Sequence, residues 1–204
     1  MARQTESSPR RPDATRSPRH IARVGGGEAG ARTHRAWRAR VRLTLWRSVA
    51  RSHADDAFTG EGAARFPGRY NGTGTRAVYL GDCPGGCGLE LLASYAAPEA
   101  LMTHLLIEVE VAAALVDLRI PRNLQRYGVT AADLIRPDDY EVPRRVGTRL
   151  CRERRPGAIV PAATVARAFN VVVYPDVWDR FVVRGRVPLA LDERLLGLVG
   201  AERA

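Results

Sequence analysis

The apolar residues of this chain fall mainly into short runs, and this pattern is the strongest constraint on its fold. Val41, Leu43 and Leu45 alternate with other residues, as expected for a strand with one buried face. Further strand-like runs cover residues 77–80, 104–111, 115–118, 158–160, 171–174 and 181–189, and helical patterns cover 89–97, 129–135, 144–154 and 192–199. Because strands outnumber helices and the two are interspersed, the sequence predicts an α+β fold and not a doubly wound sheet.

The first 40 residues differ in composition from the rest of the chain. Residues 1–42 hold 11 Arg against three acidic residues, whereas residues 43–204 hold 21 Arg against 19 acids. The formal net charge of +10 therefore belongs mainly to the tail and does not mark the folded part as a nucleic-acid-binding domain. Because large aliphatic side chains are scarce there, residues 1–40 are predicted to be a disordered Arg-rich tail before one domain, 41–204. A basic arm that touches nucleic acid or an acidic partner is the alternative.

Cysteines and apolar segments limit the location of the protein and its metal chemistry. Cys83 and Cys87 flank a Pro-Gly-Gly turn, but a zinc ion needs two more ligands, and Cys151 with one of four scattered His does not supply them. Plain thiols and no metal are therefore predicted. Since no secretory segment or membrane-spanning apolar stretch is present, the sequence predicts a cytoplasmic protein with reduced thiols and no membrane contact.

Three positions in the ordered part carry side chains suited to ligand chemistry. Arg47 ends the first predicted strand, and a guanidinium can hold a diphosphate through two hydrogen bonds. Tyr79 lies in an apolar run, where its ring either stacks on a planar ligand or belongs to the core. Glu90 lies among apolar residues in the expected first turn of a helix, and such a carboxylate is costly unless it faces a cleft, a partner or water.

The segments around these residues resemble the RES domain, a family named for recurrent Arg, Glu and Ser residues. They are Leu45-Trp46-Arg47, Gly60-Glu61-Gly62-Ala63, Gly68-Arg69-Tyr70-Asn71, Val78-Tyr79-Leu80, Leu89-Glu90, Gly157-Ala158-Ile159-Val160-Pro161-Ala162-Ala163 and Asn170-Val171-Val172-Val173-Tyr174-Pro175. The resemblance covers about residues 43–190. Each motif is weak alone, but their order and spacing make the set fairly specific.

The resemblance implies an ADP-ribosyltransferase-like RES fold, in which small β-sheets form a NAD cleft beside flanking helices. It implies a toxin of a toxin–antitoxin pair that cleaves the nicotinamide–ribose bond of NAD, with water or phosphate as the acceptor and without a cofactor. The implied partner is an antitoxin with an Xre-like helix-turn-helix domain, through which any nucleic-acid contact is indirect; a homo-oligomer is left open. Arg47 is then the phosphate anchor, Tyr79 the nicotinamide stack and Glu90 the carboxylate that stabilises the developing cation.

The glycine-flanked loop supplies three further candidates for contact with NAD: Arg69, Tyr70 and Asn71. Its glycines allow close approach of the backbone to a ligand, and Arg69 is expected to support phosphate binding. Two other functions stay open at this point. One is a mono-ADP-ribosyltransferase that modifies a macromolecule, and the other is a catalytically inactive binding module.

One position departs from the family pattern. The residue after Val160-Pro161 is Ala162 where the family has serine, and no serine follows Ser94 in the chain. Thr148 and Thr164 are the two hydroxyl residues considered as replacements.

Overall fold

The computed structural model describes residues 40–94, 101, 103–192 and 194–195, which are built around one seven-stranded sheet. Its strands are β1 (Val41–Ala50), β2 (Val78–Gly81), β3 (His104–Ala113), β4 (Val116–Asp117), β5 (Gly157–Pro161), β6 (Phe169–Val173) and β7 (Val182–Pro188). The order across the sheet is β4-β5-β6-β2-β1-β3-β7, and only the β4–β5 pair is parallel among the described strands. The α+β class is confirmed, with one continuous sheet in place of the several small ones expected.

Short helices flank this sheet. They are α1 (Glu61–Arg65), α2 (Pro84–Ser94), α3 (Pro121–Tyr127), α4 (Ala131–Ile135) and α5 (Glu141–Arg152). Helix α2 packs on β1 and β2, whereas α4 and α5 pack on β5. The two groups of helices therefore lie against different parts of the sheet.

The core is divided between the two faces of the sheet. Strand β6 shows the division directly, because Val172 belongs to one apolar cluster while Val171 and Val173 belong to the other. Alternation of this kind follows from the two-residue period of a strand. All three valines are fully buried, which confirms the predicted buried strand over 171–173; the strand ends before Tyr174.

Two boundaries near the candidate residues differ from those predicted. Strand β1 continues past Arg47 to Ala50, because it pairs with β3 along its whole length. Helix α2 begins at Pro84, within the segment predicted to be a turn; proline is well tolerated in a first helical turn, where its missing N–H costs nothing. Glu90 therefore lies in the middle of α2, and the prediction that it lies in a first helical turn is wrong.

Other segments depart from the predicted pattern in smaller ways. Helices α1 and α3 were not predicted from the sequence. The strand predicted over 115–118 is present as β4, which pairs with β5 at the edge of the same sheet. Helix α5, predicted over 144–154, runs from Glu141 to Arg152 and buries one face. The tail at 1–39, the predicted end of α2 at 95–97 and most of the predicted helix 192–199 lie outside the described residues.

Candidate active site

The ladder between β1 and β2 is short, and this is where the candidate site begins. The two strands share one register pair, Trp46 with Gly81, whereas β1 pairs with β3 over its whole length. Where the β1–β2 ladder stops, the Nη1 of Arg47 donates a hydrogen bond to the carbonyl oxygen of Tyr79 at 3.0 Å. A side-chain donor thus satisfies a carbonyl of β2 that strand pairing leaves available.

A pocket of about 310 Å³ adjoins this point. Five of the six predicted site residues line it: Arg47, Arg69, Tyr70, Tyr79 and Glu90. Its volume is in the range typical of small-molecule sites. Residues from four separate stretches of the chain therefore meet in one concave site.

Arg47 provides a half-buried positive charge in this pocket. Burial lowers the pKa of Arg47 to about 10, and the nearby Cys87 opposes that shift. The guanidinium is still protonated at neutral pH, because its pKa remains well above 7. Its Nε is buried and has no hydrogen-bond partner among the described residues. A buried donor without an acceptor costs free energy, which an oxygen of a bound ligand would recover.

Glu90 is held from two directions. The Oγ1 of Thr164 and the Nδ2 of Asn170 each donate a hydrogen bond to its Oε1, both at 2.9 Å. Thr164 lies in the loop after β5, and Asn170 lies on β6. These two neutral donors, and not the first turn of a helix, stabilise the carboxylate at this position.

The hydroxyl of Tyr79 organises the loop that follows α1. It donates to the Oδ1 of Asn71 at 2.7 Å and accepts a hydrogen bond from the backbone N–H of Tyr70 at 2.8 Å. The Nδ2 of Asn71 donates to the carbonyls of Ala63 and Thr75. Asn71 is 1% exposed and does not line the pocket. The prediction that Asn71 contacts a ligand is therefore not supported, because its side chain is used to fold the loop.

A second set of contacts holds the same loop against α5. The Nε of Arg144 donates to the carbonyl of Gly68 at 3.1 Å. Arg69 donates to the carbonyl of Arg136 at 2.6 Å, and its guanidinium lies 4.4 Å from the ring centre of Tyr140. Arg69 is thus fixed at the pocket by a hydrogen bond and a cation–π contact.

Comparison with known proteins assigns the chain to a family. The family model described as RES domain matches residues 44–192. The chain belongs to the RES domain family. Among solved structures, this RES protein is similar to the toxin MbcT in the crystal structure of the M. tuberculosis MbcT–MbcA toxin–antitoxin complex. The identity is 28% with a TM-score of 0.64, and the match covers 80% of this chain and 91% of that chain. A comparison with curated proteins gives no match.

Cys87, Tyr140 and Asn170 also line the pocket, although the sequence did not predict them as site residues. The thiol of Cys87 donates to the carbonyl of Trp46 at 3.3 Å, and burial raises the pKa of Cys87 to about 11. Cys87 is therefore protonated at neutral pH and unsuited to act as a nucleophile.

The described cysteines are free thiols, and the described part of the chain contains no cluster of metal-ligating side chains. The described helices include none that is long and apolar enough to cross a membrane.

Tyr79→Phe separates the two roles of this side chain. We expect the free energy of unfolding to fall by about 1–3 kcal/mol, because the buried N–H of Tyr70 loses its acceptor. The ring remains, so kcat per folded molecule should change little. Urea unfolding measures the loss, with Tyr140→Phe as the control because Tyr140 is 38% exposed. Equal stability of Tyr79→Phe and the wild type would contradict the structural role of the hydroxyl.

Proposed function

We propose that this RES-domain protein is the toxin of a toxin–antitoxin pair and that it depletes NAD by cleaving the nicotinamide–ribose bond. The observation that carries the proposal is that one pocket holds a half-buried cation, Arg47, whose Nε is buried without a partner, and a doubly hydrogen-bonded carboxylate, Glu90. Membership of the RES family and the likeness to the MbcT–MbcA complex support it.

The chemistry of this cleavage matches the side chains of the pocket. Nicotinamide leaves with the electron pair of the C1′–N bond as a neutral molecule, so no strong general acid is required. Positive charge then develops on the ribose, as in glycoside cleavage, and a fixed carboxylate stabilises it. We assign this role to Glu90. Water or inorganic phosphate completes the reaction by forming a bond to C1′, and a water nucleophile loses one proton.

The other charged and aromatic side chains orient the substrate in this proposal. Arg47 binds the diphosphate of NAD, with Arg69 in support, because a guanidinium matches the geometry of phosphoryl oxygens. The rings of Tyr79 and Tyr70 enclose the nicotinamide end. Correct orientation alone accounts for a large part of the rate of such a reaction, and no cofactor is needed.

The proposed partner is an antitoxin with an Xre-like helix-turn-helix domain. The similar solved structure is a toxin–antitoxin complex, which supports a partner of this kind. Phe66 is 81% exposed two residues before the pocket-lining Gly68, and Tyr140 lines the pocket while 38% exposed. Exposed apolar side chains beside a cleft are typical of protein-binding surfaces. Because NAD is abundant in the cytoplasm, we place the activity there.

Consumption of NAD by the purified, antitoxin-free protein tests the proposal. The reaction is run with and without inorganic phosphate, and the products are separated. Nicotinamide is expected as one product. The other product identifies the acceptor: ADP-ribose indicates water, and ADP-ribose phosphorylated at the same C1′ indicates phosphate. Label that moves from NAD to a protein or nucleic acid would instead indicate a mono-ADP-ribosyltransferase. Unchanged NAD in a folded sample would contradict the proposal and favour a binding module.

A further inference from the structure

We propose that Thr164 is a positioning residue that, together with Asn170, fixes the carboxylate of Glu90 in its working orientation. This inference rests on the proposed function and adds a residue to its machinery. It starts from the two hydrogen bonds of 2.9 Å that converge on one oxygen, Oε1. No described residue donates a hydrogen bond to Oε2, so that oxygen remains available for the substrate.

One donor does not fix a glutamate side chain. The terminal torsion of Glu has a broad energy profile, so a carboxylate bound only by Asn170 can still rotate about its last bond. A second donor from another element removes that freedom. Thr164 comes from the loop after β5, and Asn170 comes from β6. Their hydrogen bonds to Glu90 therefore tie two different parts of the chain to α2.

The loop that carries Thr164 is itself held in place. The N–H of Ala162 donates to the carbonyl of Ala168 at 3.1 Å, and the N–H of Ala168 donates to the carbonyl of Val165 at 3.3 Å. Ala163, next to Thr164, lines the pocket. Supporting groups that are locked by their own hydrogen bonds are what a precise site requires.

A second threonine provides an internal comparison. Thr148 also carries a hydroxyl, but its Oγ1 donates to the carbonyl of Arg144 within α5 at 2.9 Å. Neither threonine lines the pocket itself, but Thr164 is hydrogen-bonded to Glu90, which does. Of the two threonines considered in place of the family's serine, Thr164 is therefore the one that reaches the carboxylate.

Thr164→Val tests the inference because valine keeps the shape of threonine and removes its hydroxyl. We expect kcat for NAD cleavage to fall about 10- to 100-fold, as for a lost hydrogen bond to a charged group, with KM for NAD within about twofold of the wild type. Thr164→Ser should restore kcat to within about threefold of wild type, since it restores the donor. Thr148→Val is the matched control and should behave as the wild type.

Crystal structures of the wild type, Thr164→Val and Thr164→Ser provide a readout that does not depend on turnover. The Glu90 carboxylate should be rotated or displaced in the valine variant and unchanged in the serine variant. A valine variant with wild-type kcat and an unmoved Glu90 would overturn the inference, as would a rise in KM alone. If the wild type does not consume NAD, the proposed function fails, while the crystal structures still decide the role of Thr164.

Discussion

Replacement of Glu90 by glutamine is expected to lower kcat for NAD cleavage by about 10²- to 10³-fold, comparable to the loss of one group that stabilises transition-state charge. Glutamine has the same shape, and its amide oxygen can still accept hydrogen bonds from Thr164 and Asn170. Only the negative charge is lost. The substrate should therefore bind, but the positive charge that develops on its ribose is no longer stabilised. Steady-state kinetics with nicotinamide detection measures the change.

Glu108→Gln is the matched control for this experiment. Glu108 is also half-buried, but it lies on β3 and does not line the pocket, so its replacement should leave kcat unchanged. Thermal unfolding of both variants checks that neither loses the fold. A folded Glu90→Gln protein with wild-type turnover would show that Glu90 does not stabilise the reacting ribose.

Strands in this protein were easier to predict than helix boundaries. Strand β1 alternates because one face of it is more buried than the other, and β6 is a continuous apolar run because both of its faces are buried. Both patterns can be read from residue type alone. The start of α2 could not be predicted from the sequence, because residues 84–88 are rich in proline and glycine and have the composition of a turn. The packing of α2 on β1 and β2 outweighs the preference of this segment for a turn.

The candidate site was predictable mainly through the resemblance of the surrounding segments to the RES domain. That resemblance singles out Arg47, Tyr79 and Glu90, and the pocket brings them together. Asn170 was missed as a donor because its contact with Glu90 spans 80 positions and depends on the register between β2 and β6. Asn71 has a different reason: its place in a glycine-rich loop suggested ligand contact, although its side chain bonds to residues no more than eight positions away. Polar pairs across long separations follow from the fold and not from local sequence.

Gly147→Ala is expected to destabilise the protein by about 2–4 kcal/mol, although alanine normally stabilises a helix relative to glycine by about 1 kcal/mol. Gly147 is buried in α5, and a Cβ there would lie 1.9 Å from the carbonyl oxygen of Tyr70 and 2.9 Å from the hydroxyl of Tyr174. That hydroxyl donates to the same carbonyl at 3.0 Å. The added methyl group therefore overpacks the core and breaks this hydrogen bond.

Urea unfolding of Gly147→Ala should be compared with that of Gly62→Ala. Gly62 lies in α1, where an added Cβ would meet no other described part of the protein within 4 Å. Its replacement by alanine should therefore be neutral or stabilising. Because Tyr70 belongs to the loop that lines the pocket, movement of its carbonyl in Gly147→Ala should also raise KM for NAD at temperatures where the variant is folded. If Gly147→Ala is as stable as Gly62→Ala, the close packing of α5 on the Tyr70 loop does not exist in solution. The pocket wall would then have to be held by its other contacts, among them those of Arg144, Tyr79 and Arg69.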